Sequence, residues 1–381
     1  MAQSGQFSGE VPCVMPKRPT TYILVNPGHG YEPSRLGIQL GLGLLPLVRA
    51  DALLVPAVFT GLRSLVNDDF PQDASRIKIS LRLGAIYRDA LLDISSYRRH
   101  LQLIIDSRDS LERQVRSEVE RFEKRNRASI ALEVITGSRI VATEGRPIIF
   151  AFQGLLSTIL RKASSHRQFA ADRDRMSRVA DLMARVEERY SACFIPHDSP
   201  FLDPDLLIHL HQPPVDTPPL RRFTRTPKRF SIARPSTFLM ISGTGRGAQA
   251  PRVAAAIGLP YVANRLARRG SGFAPLEVFG PNVLAVVTRG GSGTHWLCRH
   301  AVKPQVFLPF EPDDDPEIYF NTLHYSHIGV GVRYSRAPIP LSALHRCRQH
   351  IAELNAKVLP TYHTLDGIRY ILKLVPRLRV L

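Results

Sequence analysis

Cysteine is scarce and scattered: Cys13, Cys193, Cys298 and Cys347 fall far apart, and no CxxC pair exists. That spacing excludes a zinc ribbon and a disulfide scaffold, and it fits a reducing cytosol. Long apolar runs are missing too. The longest, Leu36 to Val48 and Pro147 to Leu160, fall short of the ~20 residues that span a bilayer. The first twenty residues lack a continuous apolar core and read as a disordered leader, not a secretory signal. Acid is in deficit: 33 Asp and Glu face 51 Lys and Arg, a formal charge of +18. A charge of that size asks for an anionic ligand, nucleic acid or an anionic membrane surface. With 381 residues, 44% of them apolar, the chain buries a core and two domains are expected.

From Thr21 onward, short β-branched runs alternate with turns and apolar helices. Thr21 to Asn26 reads as a buried strand, Gly28 to Pro33 as a turn, and Ser34 as the cap of a helix to Val48. Ala52 to Phe59 is a second strand, which opens an α/β unit with a parallel sheet. Residues 75–127 carry helical spacing at Leu83, Ile86, Ala90 and Leu91, and beyond Arg108 alternating charge marks a solvated face. Ser129 to Val134 and Arg146 to Phe152 read as strands, and Gln153 to Ala163 and Asp172 to Tyr190 as helices. Residues 212–236 hold six prolines and six Lys or Arg against one acid, Asp216, which predicts an extended connector without regular elements. The pattern then restarts with strands at Thr237–Ser242, Leu259–Ala263, Asn282–Val287 and Gln305–Leu308. Helices follow at Pro251–Ile257, Leu341–Val358 and after Leu365. The expected division is a leader (1–20), an N-terminal α/β domain (21–211), the connector (212–236) and a C-terminal α/β domain with closing helices (237–381).

The richest chemistry lies between Pro281 and Asn321. A strand enters Gly290-Gly-Ser-Gly-Thr294 and a helix follows, so backbone N–H groups and a helix dipole face an incoming anion. Gly290, Gly291 and Gly293 allow close approach to a phosphate; Ser292 and Thr294 add hydroxyls; Arg289 can pair with a diphosphate. The same pattern also serves as a tight turn that binds nothing. A second strand ends in Leu308-Pro-Phe310, followed by Glu311, Asp313, Asp314, Asp315, Glu317 and Asn321. Three readings of these acids are open, in this order: acceptors for sugar hydroxyls, a helix start, and a hard-cation site.

This segment resembles the donor site of the two-domain GT-B glycosyltransferases that use nucleotide sugars. The residues that carry the resemblance are R-G-G-S-G-T (Arg289–Thr294), L-P-F (Leu308–Phe310) and D-D-D-P-E-x-x-x-N (Asp313–Asn321). Gly28-His-Gly-Tyr-Glu-Pro33 is similar to the acceptor-side loop of the same family. Arg289 stands where the family has a phosphate-contacting His, and Leu297 where relatives often carry a ribose-binding Glu. The resemblance implies an α/β fold of two Rossmann-like domains facing a cleft, with the last helix crossing back to the first domain. It implies transfer of a sugar from a nucleotide diphosphate-sugar, a uridine one, to an acceptor hydroxyl, inverting and independent of metal. The donor would meet Gly243, Thr244, Arg289, Gly290, Gly291, Ser292, Gly293 and Thr294. Asp314, Asp315, Glu317 and Asn321 would hold sugar hydroxyls. His29 would act as general base, with Gly28, Gly30 and Glu32 on the acceptor side.

No cofactor and no metal are expected. His209-Leu-His211, with Asp203 and Asp205 nearby, lacks the rest of a ligand set and reads as a surface strand. Trp296 reads as a packing residue, and His295, His300, His324 and His327 read first as ordinary polar residues, with His295 close enough to the loop to contact a donor. The charge leaves two readings open with equal weight: an even spread that serves solubility, or a cytoplasmic protein docked peripherally on an inner membrane face, with a lipid-linked acceptor. The basic clusters considered are Arg221–Arg234 and Tyr97-Arg-Arg-His100. The alternative function is a non-enzymatic basic protein that binds nucleic acid or anionic lipid. Only Phe223 and Phe230 interleave the basic connector, which argues against stacking on single strands and ranks nucleic acid lower.

Overall fold

The computed structural model describes residues 18–28, 31–91, 96–220, 232–241, 249–263, 278–311 and 313–378. β1 (Thr20–Pro27) is buried at its last six positions, as a strand covered on both faces must be. It is an inner strand of a parallel sheet with β2 (Ala52–Pro56), β3 (Ile77–Ser80), β4 (Ala128–Thr136), β5 (Ile148–Ala151), β6 (Ala192–Pro196) and β7 (Val215–Thr217). The order β3-β2-β1-β4-β5-β6-β7 reverses between β1 and β4, which opens a crevice at their carboxyl ends. Helices α1 (Tyr31–Leu44), α2 (Leu62–Asp69), α3 (Leu81–Leu91), α4 (Tyr97–Asn126), α5 (Leu156–Ser164) and α6 (Arg173–Glu187) belong to this half.

A second, separate parallel sheet has the order β12-β11-β10-β8-β9. Its strands are β8 (Ser236–Met240), β9 (Tyr261–Ala263), β10 (Val283–Thr288), β11 (Gln305–Phe307) and β12 (Gly331–Arg333). Its helices are α7 (Ala250–Ala255), α8 (Ser292–Ala301), α9 (Pro316–His327), α10 (Leu341–Tyr362) and α11 (Gly367–Leu374). The expected return of the chain is present. Ile368 and Ile371 of α11 pack in the same core as Ile23 and Val25 of β1. Trp296 of α8 is fully buried in that core, edge-on to Phe152, which makes it a packing residue.

Three expectations are corrected. The helical stretch 75–127 begins with β3, an edge strand too short to show a period against the helices around it. The connector 212–236 contains β7, which pairs with β6 because the prolines flank Val215–Thr217 and leave its N–H groups available. His209 and His211 are not in a strand. His209 is held by Glu187 at 2.9 Å, with a side chain only 6% exposed. Among the described residues no helix is long and apolar enough to cross a membrane.

Candidate active site

The strands β1 and β4 both run into glycine at the crevice. The Gly28 N–H donates to the Thr136 carbonyl at 2.8 Å. A Cβ on Gly28 would stand 2.8 Å from the Gly137 carbonyl oxygen, so the two turns touch. Gly137 has φ +88°, which glycine adopts without steric cost. This turn places Arg139 in the cavity wall. Behind it, the buried Glu133 carboxylate accepts from the Ala142 and Thr143 N–H groups (both 2.9 Å), the Thr143 hydroxyl (2.7 Å) and the Asn26 amide (2.7 Å). Asn26 also donates to the Ile140 carbonyl at 2.7 Å. These bonds fix the loop that carries Arg139.

The turns enclose a cavity of about 190 Å³ against the second sheet. One wall is Gly28, Pro33, Gly137, Arg139 and Phe152, with Tyr97 and His100 from the start of α4. The other is Arg289, at the end of β10, and Asp313, Asp314, Asp315 and Glu317, after β11. Residues from both candidate loops, far apart in sequence, thus line one space.

The acidic wall is also a helix start. Asp315 caps α9, accepting from the Glu317 N–H at 2.9 Å, with Pro316 following. Arg289 forms an ion pair with Asp314. The buried Asn321 donates to Glu317 at 3.2 Å and accepts from Gln153 at 3.5 Å, so it supports Glu317 from behind. Burial, then the Asp315 charge, push the Glu317 carboxyl up to about 7, against the pull of Arg139. Burial raises Asp315 as well. Across the cavity, burial and the Arg139 charge push the His100 imidazole down to about 3, so it is neutral at pH 7. Among the described residues no group of three or more His, Cys, Asp or Glu is arranged to hold a metal.

The glycine loop sits differently. Gly290 takes φ +93°, and α8 begins after Gly291, which gives it no side-chain cap. Ser292, Gly293 and Thr294 are buried, and the cavity wall is formed without them. Glu32, from the first turn of α1, lies against Gly293. A Cβ on Gly293 would stand 2.2 Å from the Glu32 Cγ and 3.0 Å from its carboxyl carbon. The residue expected on the acceptor side therefore lies against the glycine loop. His29, Gly30, Gly243 and Thr244 lie outside the described residues.

No protein-family model and no curated protein matches the chain. Solved structures do. The chain is similar to a UDP-glucosyltransferase from Polygonum tinctorium capable of glucosylating indoxyl, with 16% identity and a TM-score of 0.60 over 95% of this chain and 98% of that one. It is similar to Medicago truncatula UGT71G1, complexed with UDP-glucose, with 11% identity and a TM-score of 0.58 over 94% and 98% of the two chains. For SsfS6, a Streptomyces sp. SF2575 glycosyltransferase, the values are 14% and 0.55 over 93% and 99%. The chain has the GT-B fold.

In this GT-B frame the halves are also joined by a buried polar cluster behind the cleft. Asp198, just after β6, accepts from His295 at 3.1 Å and from Arg299 at 2.5 Å, both on α8. Gln305 meets the other His295 nitrogen at 3.0 Å, and Tyr325 stacks on the ring at 3.5 Å. His295 is thereby turned into the interior, as an ordinary buried polar residue. The Tyr97–His100 cluster is divided between the cleft and the surface. Tyr97 and His100 line the cleft and Arg98 pairs with Asp172 at 2.8 Å, because α4 starts at the crevice. Arg139, Tyr97 and His100 are the cleft residues that sequence reasoning missed. Thr136-Gly-Ser-Arg139, a glycine turn directly after a strand, is the signal that points to Arg139.

Proposed function

We propose that this GT-B chain is a glycosyltransferase that takes a uridine diphosphate-sugar and passes the sugar to an acceptor hydroxyl. One observation carries the proposal: a single cavity sets Arg289 and the acids Asp313–Glu317 opposite the Gly28 turn. Arg289 exchanges Asp314 for the diphosphate, which the N–H groups of Gly290–Thr294 also meet. Asp314, Asp315 and Glu317 accept hydrogen bonds from sugar hydroxyls. The acceptor oxygen enters beside Gly28 and attacks the anomeric carbon. A new C–O bond forms as the bond to the diphosphate oxygen breaks, and the electron pair leaves with the diphosphate. The hydroxyl proton passes to His29, next in sequence to Gly28. A single displacement of this kind inverts the anomeric carbon. Arg289 and the loop amides serve the charge that develops on the leaving group, so the step is metal-independent. The +18 charge supports an acceptor presented at an anionic surface, which anionic against neutral vesicles tests by co-sedimentation.

The test is a thermal-shift screen of nucleotide sugars, because a ligand of the native state raises apparent stability by mass action. Uridine diphosphate-sugars raise Tm, and sugar transfer follows in an acceptor screen. No shift with any nucleotide sugar would remove the proposal.

A further inference from the structure

Arg139 brings a cation into the cleft without a direct counter-charge. One of its N–H groups donates to the Gly137 carbonyl at 3.1 Å. Among the described residues no carboxylate forms an ion pair with it. The acids of the opposite wall are engaged or partly neutral. Asp314 pairs with Arg289, Asp313 accepts from the Arg98 N–H at 3.5 Å, and Asp315 caps α9. Burial raises Asp315 and lifts Glu317 to about 7, against the pull of Arg139. His100 is neutral at pH 7 and adds no charge. Tyr97, beside it, is 8% exposed, and its hydroxyl is buried without a hydrogen-bond partner among the described residues. Burial holds that phenol protonated, and it feels the charges of Asp315, Arg139 and Glu317, so it stands among these groups. The rest of this wall is apolar or bare backbone: Pro33, Phe152, Gly28 and Gly137.

We infer that the acceptor is a small aromatic hydroxy acid, whose carboxylate takes the Arg139 guanidinium and the Tyr97 hydroxyl while its ring lies along Phe152 and Pro33. The inference rests on the glycosyltransferase reading above. A guanidinium is a planar fork of donors that matches a carboxylate, and the phenol adds a third donor. The glycines at 28 and 137 leave room for a flat ring between the two turns. The site carries a signature of its own. A carboxylate on Arg139 offsets the cation that lowers Asp315 and Glu317, and it sets a negative charge beside them. Both effects favour the protonated acids. Binding therefore takes up protons, and affinity falls as pH rises past about 7, where Glu317 titrates.

Calorimetric titration of the full chain tests this with 4-hydroxybenzoate and 4-hydroxycinnamate, each against its neutral amide, with and without UDP. Wild type binds the acids roughly tenfold more tightly than the amides at pH 6. Heats in two buffers of different ionisation enthalpy show proton uptake, and the preference for the acids shrinks at pH 8. Arg139→Gln removes the preference and keeps the amide affinity; Tyr97→Phe removes part of the preference. Equal affinity for acid and amide in wild type, no binding of either, or an undiminished preference in Arg139→Gln overturns the inference. An equal loss of acid and amide binding in Arg139→Gln also overturns it, because that marks a merely structural role. So does competition between UDP and the acids, which would put the diphosphate on Arg139. Acid binding as described, with no binding of any nucleotide sugar, leaves the carboxylate site standing and removes the donor reading.

Discussion

Asp198 and Glu317 are both carboxylates at the boundary between the sheets, yet their surroundings move them in opposite directions. Burial alone would raise Asp198, but the Arg299 charge and the His295 bond outweigh it and hold it well below the usual carboxylate range. For Glu317, burial and the neighbouring Asp315 win, and Arg139 across the cavity only softens the effect. The first cluster has its charges matched inside the protein. The second leaves two acids pushed toward their protonated forms in an open cavity. The matched cluster joins the halves; the unmatched one is the proposed ligand site.

The largest effect comes from unbalancing the joint. Asp198→Asn leaves Arg299 buried without a counter-charge and costs about 3–5 kcal/mol of stability, read as a lower urea midpoint. If the two clusters are alike, the same kind of change in the cleft does equal damage. The reverse is expected. The folded state holds the Glu317 proton up to about pH 7, whereas an unfolded Glu releases it near its ordinary value of 4.5. Native protein therefore binds more protons across that window, and this residue's contribution falls as pH rises from about 4.5 to 7. Glu317→Gln removes the decline and gains on the order of 1–3 kcal/mol above pH 7, measured by urea unfolding at pH 5 and pH 8. The smallest effect belongs to Arg139→Gln. Loss of this cation moves the cleft titration to higher pH and lets the His100 imidazole rise, with stability at pH 5 changed by less than about 1 kcal/mol. A shift to lower pH in the same unfolding series would mean that Arg139 does not face the acids.

The comparison also shows what a sequence reveals. The buried runs of β1, β4 and β10 are legible because strands covered on both faces are mostly apolar, with Asn26 and Glu133 the buried polar exceptions in β1 and β4. Arg289 and the acids are legible because a loop and a helix start keep their chemistry together in sequence. The strands β3, β7 and β12 have only three or four residues at sheet edges, too few to show a period. Arg139 and His100 escape because the sheet order, not local spacing, brings the ends of β1 and β4 and the start of α4 to one crevice. The Asp198–His295 pair joins residues 97 apart in sequence, a distance over which no motif reads.

We propose that the cleft between the sheets binds a nucleotide diphosphate through Arg289. Calorimetric titration with UDP of wild type and Arg289→Ala, each shown to be folded, tests it most directly. A charged hydrogen bond contributes ~1.5–3 kcal/mol, so the account predicts single-site binding weakened roughly tenfold to a hundredfold in the variant. Equal affinity in the two proteins, or no binding by wild type, would contradict it.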